Sequence, residues 1–416
     1  MVGSFIDRLR WIDESTRLLL VIRGLRNFGQ TAIAIILALY LGALGFSLLQ
    51  IGLVLSVDIA GTTVLALGVA FFANKIGRRR LLATIMFASS LASVVVALAT
   101  SLPVLLVAIF VGSFTAGAGA GGPLQPLEVA AVAEVAPAEK RTRLMAVLFI
   151  VGTVASAIGA LLVGFPPFAE STFHLSLVNA YRTLFILYAV VQAVSAVLYA
   201  RLPKAVEAKT SRRWTNPLRL RSRRRIFALM GLFGLDGFGT SLILQSLIAY
   251  WFNTRFGLTL SSLSVVFLVS SVLAAISLWV AARVADRIGL LNTAVFTHIP
   301  SNVFLIAAAF SPVAWLAVLF WQLRSLLGQM DIPARESYTM AIVEPEERAA
   351  MGGMEGVGRS AASIVGPVAG TALWNGINAA APFIGCGVVK IAYDIFLFVS
   401  FRNVKAPEEI LKASSR

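Results

Sequence analysis

The chain has 416 residues, 58% of them apolar and only 13% charged, and its mean hydropathy is +0.86. A soluble domain carries about 25% charged residues, so an array of water-soluble domains is excluded and the bilayer is the expected solvent. The formal net charge of +15 then reads as the Lys and Arg excess of cytoplasmic loops, and no nucleic-acid partner is expected.

Residues 1–17 carry Arg8, Arg10, Asp13, Glu14 and Arg17 and lack the apolar centre of a cleavable signal peptide. They are expected to form a cytoplasmic N-terminal segment. Apolar runs follow at 18–42, 49–73, 81–100, 103–133, 144–164, 180–202, 226–252, 263–284, 292–311, 313–341, 352–374 and 379–401. A helix needs about 20 apolar residues to cross hydrocarbon, so each run is read as one span. The runs at 103–133 and 313–341 are longer and are expected to project into the cytoplasm.

An even number of spans puts both termini on one side, and charge says which. Residues 203–225 hold nine Lys and Arg against Glu207, whereas the loops at 43–48 and 101–102 are nearly uncharged. Both termini are therefore expected in the cytoplasm of a multi-pass plasma-membrane protein. The organisation that follows is a segment 1–17, a six-helix bundle 18–202, a basic linker 203–225, a second six-helix bundle 226–401 and a tail 402–416. With Trp214 and Pro217, the linker either lies on anionic lipid or serves as tether and topology signal.

The two bundles repeat one another. Gly24-Leu25-Arg26-Asn27-Phe28-Gly29 matches Gly234-Leu235-Asp236-Gly237-Phe238-Gly239, and Tyr40 matches Tyr250. Asn74-Lys75-Ile76-Gly77 matches Asp286-Arg287-Ile288-Gly289; Pro126 and Arg141 match Pro333 and Arg348. Parallel repeats related by an axis along the membrane normal are a transporter architecture.

The loop after span 2 reads Asn74-Lys75-Ile76-Gly77-Arg78-Arg79-Arg80, and that after span 8 reads Asp286-Arg287-Ile288-Gly289. Glycine permits a tight turn between spans, and the basic residues suit the headgroup level. These loops resemble the hallmark 2–3 and 8–9 loops of the major facilitator superfamily, roughly G-x-x-x-D-R/K-x-G-R-R. The resemblance covers essentially the whole chain. It implies an all-α fold of twelve transmembrane helices in two pseudo-symmetric bundles, and secondary active transport by alternating access. The first copy has Asn74 where the family has Asp, so it brings no charge there. The acid–proline–arginine loops resemble the family's cytoplasmic latches: Glu134 with Arg141 after span 4, and Glu344 with Arg348 after span 10. The plain alternative is a set of topological charges. Gly152, Gly159 and Gly164 in span 5, and Gly358, Gly366-Pro367 and Gly370 in span 11, resemble the family's glycine-rich antiporter motif or simply allow close packing.

Ionisable groups inside spans are costly and tend to be functional. Glu355 with Arg359 and Lys390 with Asp394 stand four residues apart and are expected to neutralise each other on one helix face. Arg26 and Asp236 occupy equivalent repeat positions; in the family's arrangement they would face each other across a central cavity, as a gate, a polar substrate site or a static ion pair. Asp58 or Asp236 could take up a proton. Arg324 and Asp331 extend the polar face of span 10. His174 and His298 read as isolated, Cys386 as packing, and no metal or cofactor is expected.

No Walker-type phosphate loop marks an ATP-driven pump, and no clustered acid, base or metal constellation marks an enzyme. The glycine-rich and aromatic spans lean toward proton-coupled efflux of amphipathic compounds. Arg26 and Arg324 fit the alternative, proton-symport uptake of an anionic or zwitterionic metabolite; a sensor without flux, or a channel, is a further alternative. The expected partners are a small-molecule substrate and membrane lipids, with the chain as a monomer.

Overall fold

The computed structural model describes residues 14–114, 128, 141–203, 220–344 and 347–404. Their regular structure is helical. In chain order the helices are α1 (Glu14–Ala43), α2 (Leu48–Ile76), α3 (Arg78–Leu98), α4 (Leu102–Gly112), α5 (Arg141–Leu161), α6 (Phe165–Phe173) and α7 (Leu177–Ala200). Then follow α8 (Arg223–Ser241), α9 (Gln245–Phe256), α10 (Leu260–Ile288), α11 (Leu290–Phe310), α12 (Ala314–Leu327), α13 (Asp331–Ala341), α14 (Arg348–Ser363), α15 (Gly366–Gly376) and α16 (Ala381–Phe401). Among the described residues, nine helical stretches are long and apolar enough to cross a bilayer. Large side chains such as Val64, Val107, Phe168, Trp279, Phe310 and Val388 are exposed, as a surface solvated by lipid requires. The chain is an all-α, multi-pass membrane protein.

Helices are the natural element here because hydrocarbon offers backbone groups no partner. Where spans break, local chemistry shows why. The expected span 313–341 is two helices, α12 and α13, separated at Gly328–Met330, so the projected long helix does not form. The expected span 352–374 divides into α14 and α15 just before Pro367, whose missing N–H cannot continue the ladder. Span 7 likewise divides into α8 and α9. In the fourth span, α4 stops at Ser113, which has a left-handed φ of 49°. The continuation to 133, including Pro126, lies outside the described residues except for Glu128.

The described chain forms two compact units: residues 1–36 with 61–212, and 37–60 with 213–416. In the first unit, α3 packs on α7 through serines that donate to main-chain carbonyls. Ser90 Oγ reaches Ala189 O at 2.7 Å, and Ser93 Oγ reaches Phe185 O at 2.7 Å. Such small polar residues let helix backbones approach closely in a solvent that supplies no hydrophobic drive. α5 approaches α1 so closely that a Cβ on Gly159 would overlap the Phe28 carbonyl.

The second unit repeats this device. A Cβ on Gly370 would overlap the Leu242 carbonyl, and one on Gly358 would lie 2.6 Å from Met230 O. The span 5 and span 11 glycines thus serve equivalent contacts, on the first span of each repeat. Residues 37–60 join this unit through similar contacts: the Val368 N–H donates to Ser56 Oγ at 3.3 Å.

The repeated loop has the same backbone in both copies. Gly77 and Gly289 have φ of 94° and 89°, and each alone separates two helices, α2 from α3 and α10 from α11. That region is closed to residues with a Cβ except under strain.

Candidate functional site

Helix α8 carries Asp236 into the interior of the second unit, where it is 1% exposed. A lone carboxylate there would be prohibitively costly. Three cations from three other helices surround it. Arg359 Nη2 of α14 is 2.8 Å from Oδ2, Lys390 Nζ of α16 is 3.3 Å from Oδ1, and Arg335 Nη1 of α13 is 3.6 Å from Oδ2. Neither Asp236 oxygen receives an aligned hydrogen bond. The distances and the missing hydrogen bonds are compatible: the ammonium and guanidinium groups neutralise Asp236 by proximity rather than by directed bonds.

The cations have further partners. Lys390 Nζ donates to Thr240 Oγ1 at 2.9 Å, one turn along α8 from Asp236. Arg335 donates to Asp331 Oδ2 at 3.0 Å, comes within 4.0 Å of Glu355, and stacks 5.3 Å over the Phe233 ring. Asp331, Arg335, Glu355 and Lys390 are all buried.

Neither expected four-residue pair forms. Arg359 turns from Glu355 to Asp236, and Lys390 turns from Asp394 to Asp236. Asp394 instead meets His298 of α11, with Nδ1 2.8 Å from Oδ1 and 3.0 Å from Oδ2. His298 is therefore paired rather than isolated. The physical reason is common to all three corrections: helix-face spacing allows a local pair, but packing brings buried charges of neighbouring helices within contact distance, and those contacts set the partners.

Arg26 and Asp236 each belong to a network within their own unit. In the first unit, Arg26 Nη1 and Arg23 Nη1 donate to the two oxygens of Glu128, each at 2.7 Å. The Tyr199 hydroxyl donates to Glu128 Oε1 at 2.5 Å. All of these side chains are buried. The sequence reading passed over Glu128, although an acid inside the apolar run 103–133 was a visible signal. Asp58 of α2 is fully buried.

Arg324 of α12 differs from the buried cations Arg335 and Lys390. None of the ion pairs among the described residues includes it, and its Nε is buried without a hydrogen-bond partner. Its guanidinium lies 4.8 Å over the Trp321 ring, a cation–π contact. Asp331 and Asp236 act on it only at longer range. The residue is half-buried, and Trp321 is fixed by donation from Nε1 to Ser270 Oγ at 2.9 Å.

The loop residues are distributed as follows. Arg79 Nη1 donates to Leu202 O at 2.9 Å, tying the first loop to the end of α7. Asp286 and Arg287 are exposed at the end of α10. Arg78 is half-buried. Arg348 Nε donates to Met340 O at 2.9 Å, and Glu344 shares with Arg221–Arg225 a cavity of about 600 Å³. Between them, Glu347, which the sequence reading did not single out, accepts from the backbone N–H groups of Arg221 and Ser222 and so caps the start of α8. Burial would raise its pKa; the Ser222 and Arg221 hydrogen bonds outweigh that and hold the carboxyl below its usual value. Glu134 and the side chains of Asn74, Lys75 and Arg141 lie outside the described residues.

Known proteins resemble this chain over nearly its whole length. The uncharacterized membrane protein YJR124C of Saccharomyces cerevisiae is 24% identical over 409 residues, covering 89% of this chain and 90% of that protein. A mutant form of the nucleoside transporter NupG superposes with a TM-score of 0.74 at 14% identity, covering 94% of this chain and 99% of the other. A bacterial homolog of the human lysosomal transporter Spinster, inward-facing and occupied, gives 0.67 at 15% identity over 92% and 94% of the two chains. The model of the Major Facilitator Superfamily matches residues 19–329. With that match over more than half its length, and with glycine-turned loops repeated between its two sets of spans, the chain belongs to the Major Facilitator Superfamily.

Proposed function

We propose that the protein is a proton-coupled secondary transporter that moves a small amphipathic solute bearing an anionic group by alternating access. The observation that carries this reading is Arg324. The neighbouring buried charges of the second unit have counter-ions, whereas this guanidinium has an aromatic face beside it and no carboxylate in contact. A charge kept unpaired at such cost suits a ligand that supplies the anion. The aromatic neighbour suits an apolar body next to that anion.

The reading includes bundles at 18–202 and 226–401, both termini in the cytoplasm, a plasma-membrane location and a monomer. It favours anionic solutes over the efflux of amphipathic compounds in general. The test is a thermal-shift screen of the purified protein against small organic anions, zwitterions and amphipathic cations. Flux of any stabilising compound into proteoliposomes then follows under an imposed pH gradient, in both directions. Saturable, gradient-driven flux of anions is expected, and Arg324→Gln should raise the half-saturating concentration at least tenfold. Stabilisation by cations alone, or by anions equally in Arg324→Gln, would sink the proposal.

A further inference from the structure

Asp394 is 1% exposed, and the cation one turn before it on α16, Lys390, is committed to Asp236 and Thr240. Among the described residues its ion-pair partner is His298 alone. A histidine is a counter-ion only while it holds a proton. When the imidazole is neutral, the structure holds a buried carboxylate with a hydrogen bond but no opposing charge. When it is protonated, the pair is a closed ion pair with both Asp394 oxygens in contact.

Several charged groups surround this pair. Lys390 and Tyr393 come from α16, with the Tyr393 ring edge-on to the imidazole at 6.3 Å. Asp331 of α13 and Asp236 of α8 both act on the Asp394 carboxylate, Arg335 of α13 acts on Tyr393, and α12 brings Arg324, whose carbonyl accepts from Ser301 one turn after His298. α10, which also packs on α11, carries no ionisable residue before the exposed Arg283. One further proton changes the net charge of this buried set.

We propose that the His298–Asp394 pair is the proton-binding site of the second unit. The proton arrives at Nε2 of the imidazole while Nδ1–H stays on Asp394, and it leaves from the same nitrogen; no other bond changes. Asp236, held by three cations, is then a fixed anion rather than the group that takes up the proton. This inference rests on the proton coupling proposed above and replaces its sequence-level candidates, Asp58 and Asp236.

The chain has only two histidines, which makes the site directly readable. The full-length protein with His174→Asn, labelled with ¹⁵N-histidine and held in lipid nanodiscs, reports His298 alone. Its nitrogen shifts are expected to pass from neutral to cationic imidazole as the pH falls from about 8 to about 5. In Asp394→Asn the midpoint should move by at least a tenfold change in proton concentration. Asp394→Glu, which keeps the charge, should restore most of it and covers the case in which the asparagine variant does not fold. A His298 that keeps one protonation state across this range, or a midpoint indifferent to Asp394, overturns the proposal. The spectrum is read without any solute. A titrating His298 in a protein lacking pH-driven flux would remove the coupling and uphold the site; a flat His298 beside pH-driven flux would do the reverse.

Discussion

At the scale of single residues, the organising fact is the number of cations around Asp236. Removing its charge leaves Lys390, Arg359 and Arg335 confronting one another in a poorly solvated interior. Breaking a buried pair by removing one partner costs about 3–5 kcal/mol. Asp236→Asn should therefore lower the melting temperature markedly, and adding Lys390→Met should recover part of the loss. Equal melting of wild type and Asp236→Asn would show that the cage holds nothing. The cage also shows what residue spacing can and cannot say. Every member was visible as an ionisable residue inside an apolar run, but the four-residue intervals of Glu355–Arg359 and Lys390–Asp394 pointed to the wrong partners.

At the scale of elements, two devices recur: glycine turns and glycine contacts. Gly289→Ala should cost on the order of 1–3 kcal/mol, because φ near 89° is strained for any residue with a Cβ. Gly159→Leu and Gly370→Leu should each reduce the yield of folded protein, since the added side chain meets a backbone carbonyl that cannot move aside. Gly231→Ala, with nothing near its Cβ, is the control; equal loss in all of them would refute the packing role.

The cap on α8 gives a pH test. The folded-state pKa of Glu347 is lowered, so its contribution is complete above the ordinary glutamate value of 4.5 and is lost as the pH falls below it. Melting curves of Glu347→Gln should therefore be displaced from wild type at neutral pH, and the two should converge as the pH falls below that value. A constant displacement would assign the effect to something other than the carboxylate.

At the scale of the whole molecule, the orientation inferred from loop charge can be checked because Cys386 is the only cysteine. In a Cys386→Ser background, Ala43→Cys and Asn403→Cys introduce single exposed thiols at opposite ends of the proposed topology. A membrane-impermeant maleimide applied to intact cells should label the first and spare the second. Labelling of Asn403→Cys from outside would reverse the orientation.

The sequence by itself determined the class of the protein, its all-helical multi-pass character, its internal repeat and the glycine that turns each hallmark loop. These are properties of hydropathy, length and local backbone freedom, which neighbours in space do not alter. Only the tertiary structure decided which charge meets which. Asp236 with Lys390, His298 with Asp394 and Arg26 with Glu128 are each about a hundred residues or more apart. A buried charge chooses its partner by the distance and desolvation that helix packing imposes, and helix periodicity records only the neighbours on its own face.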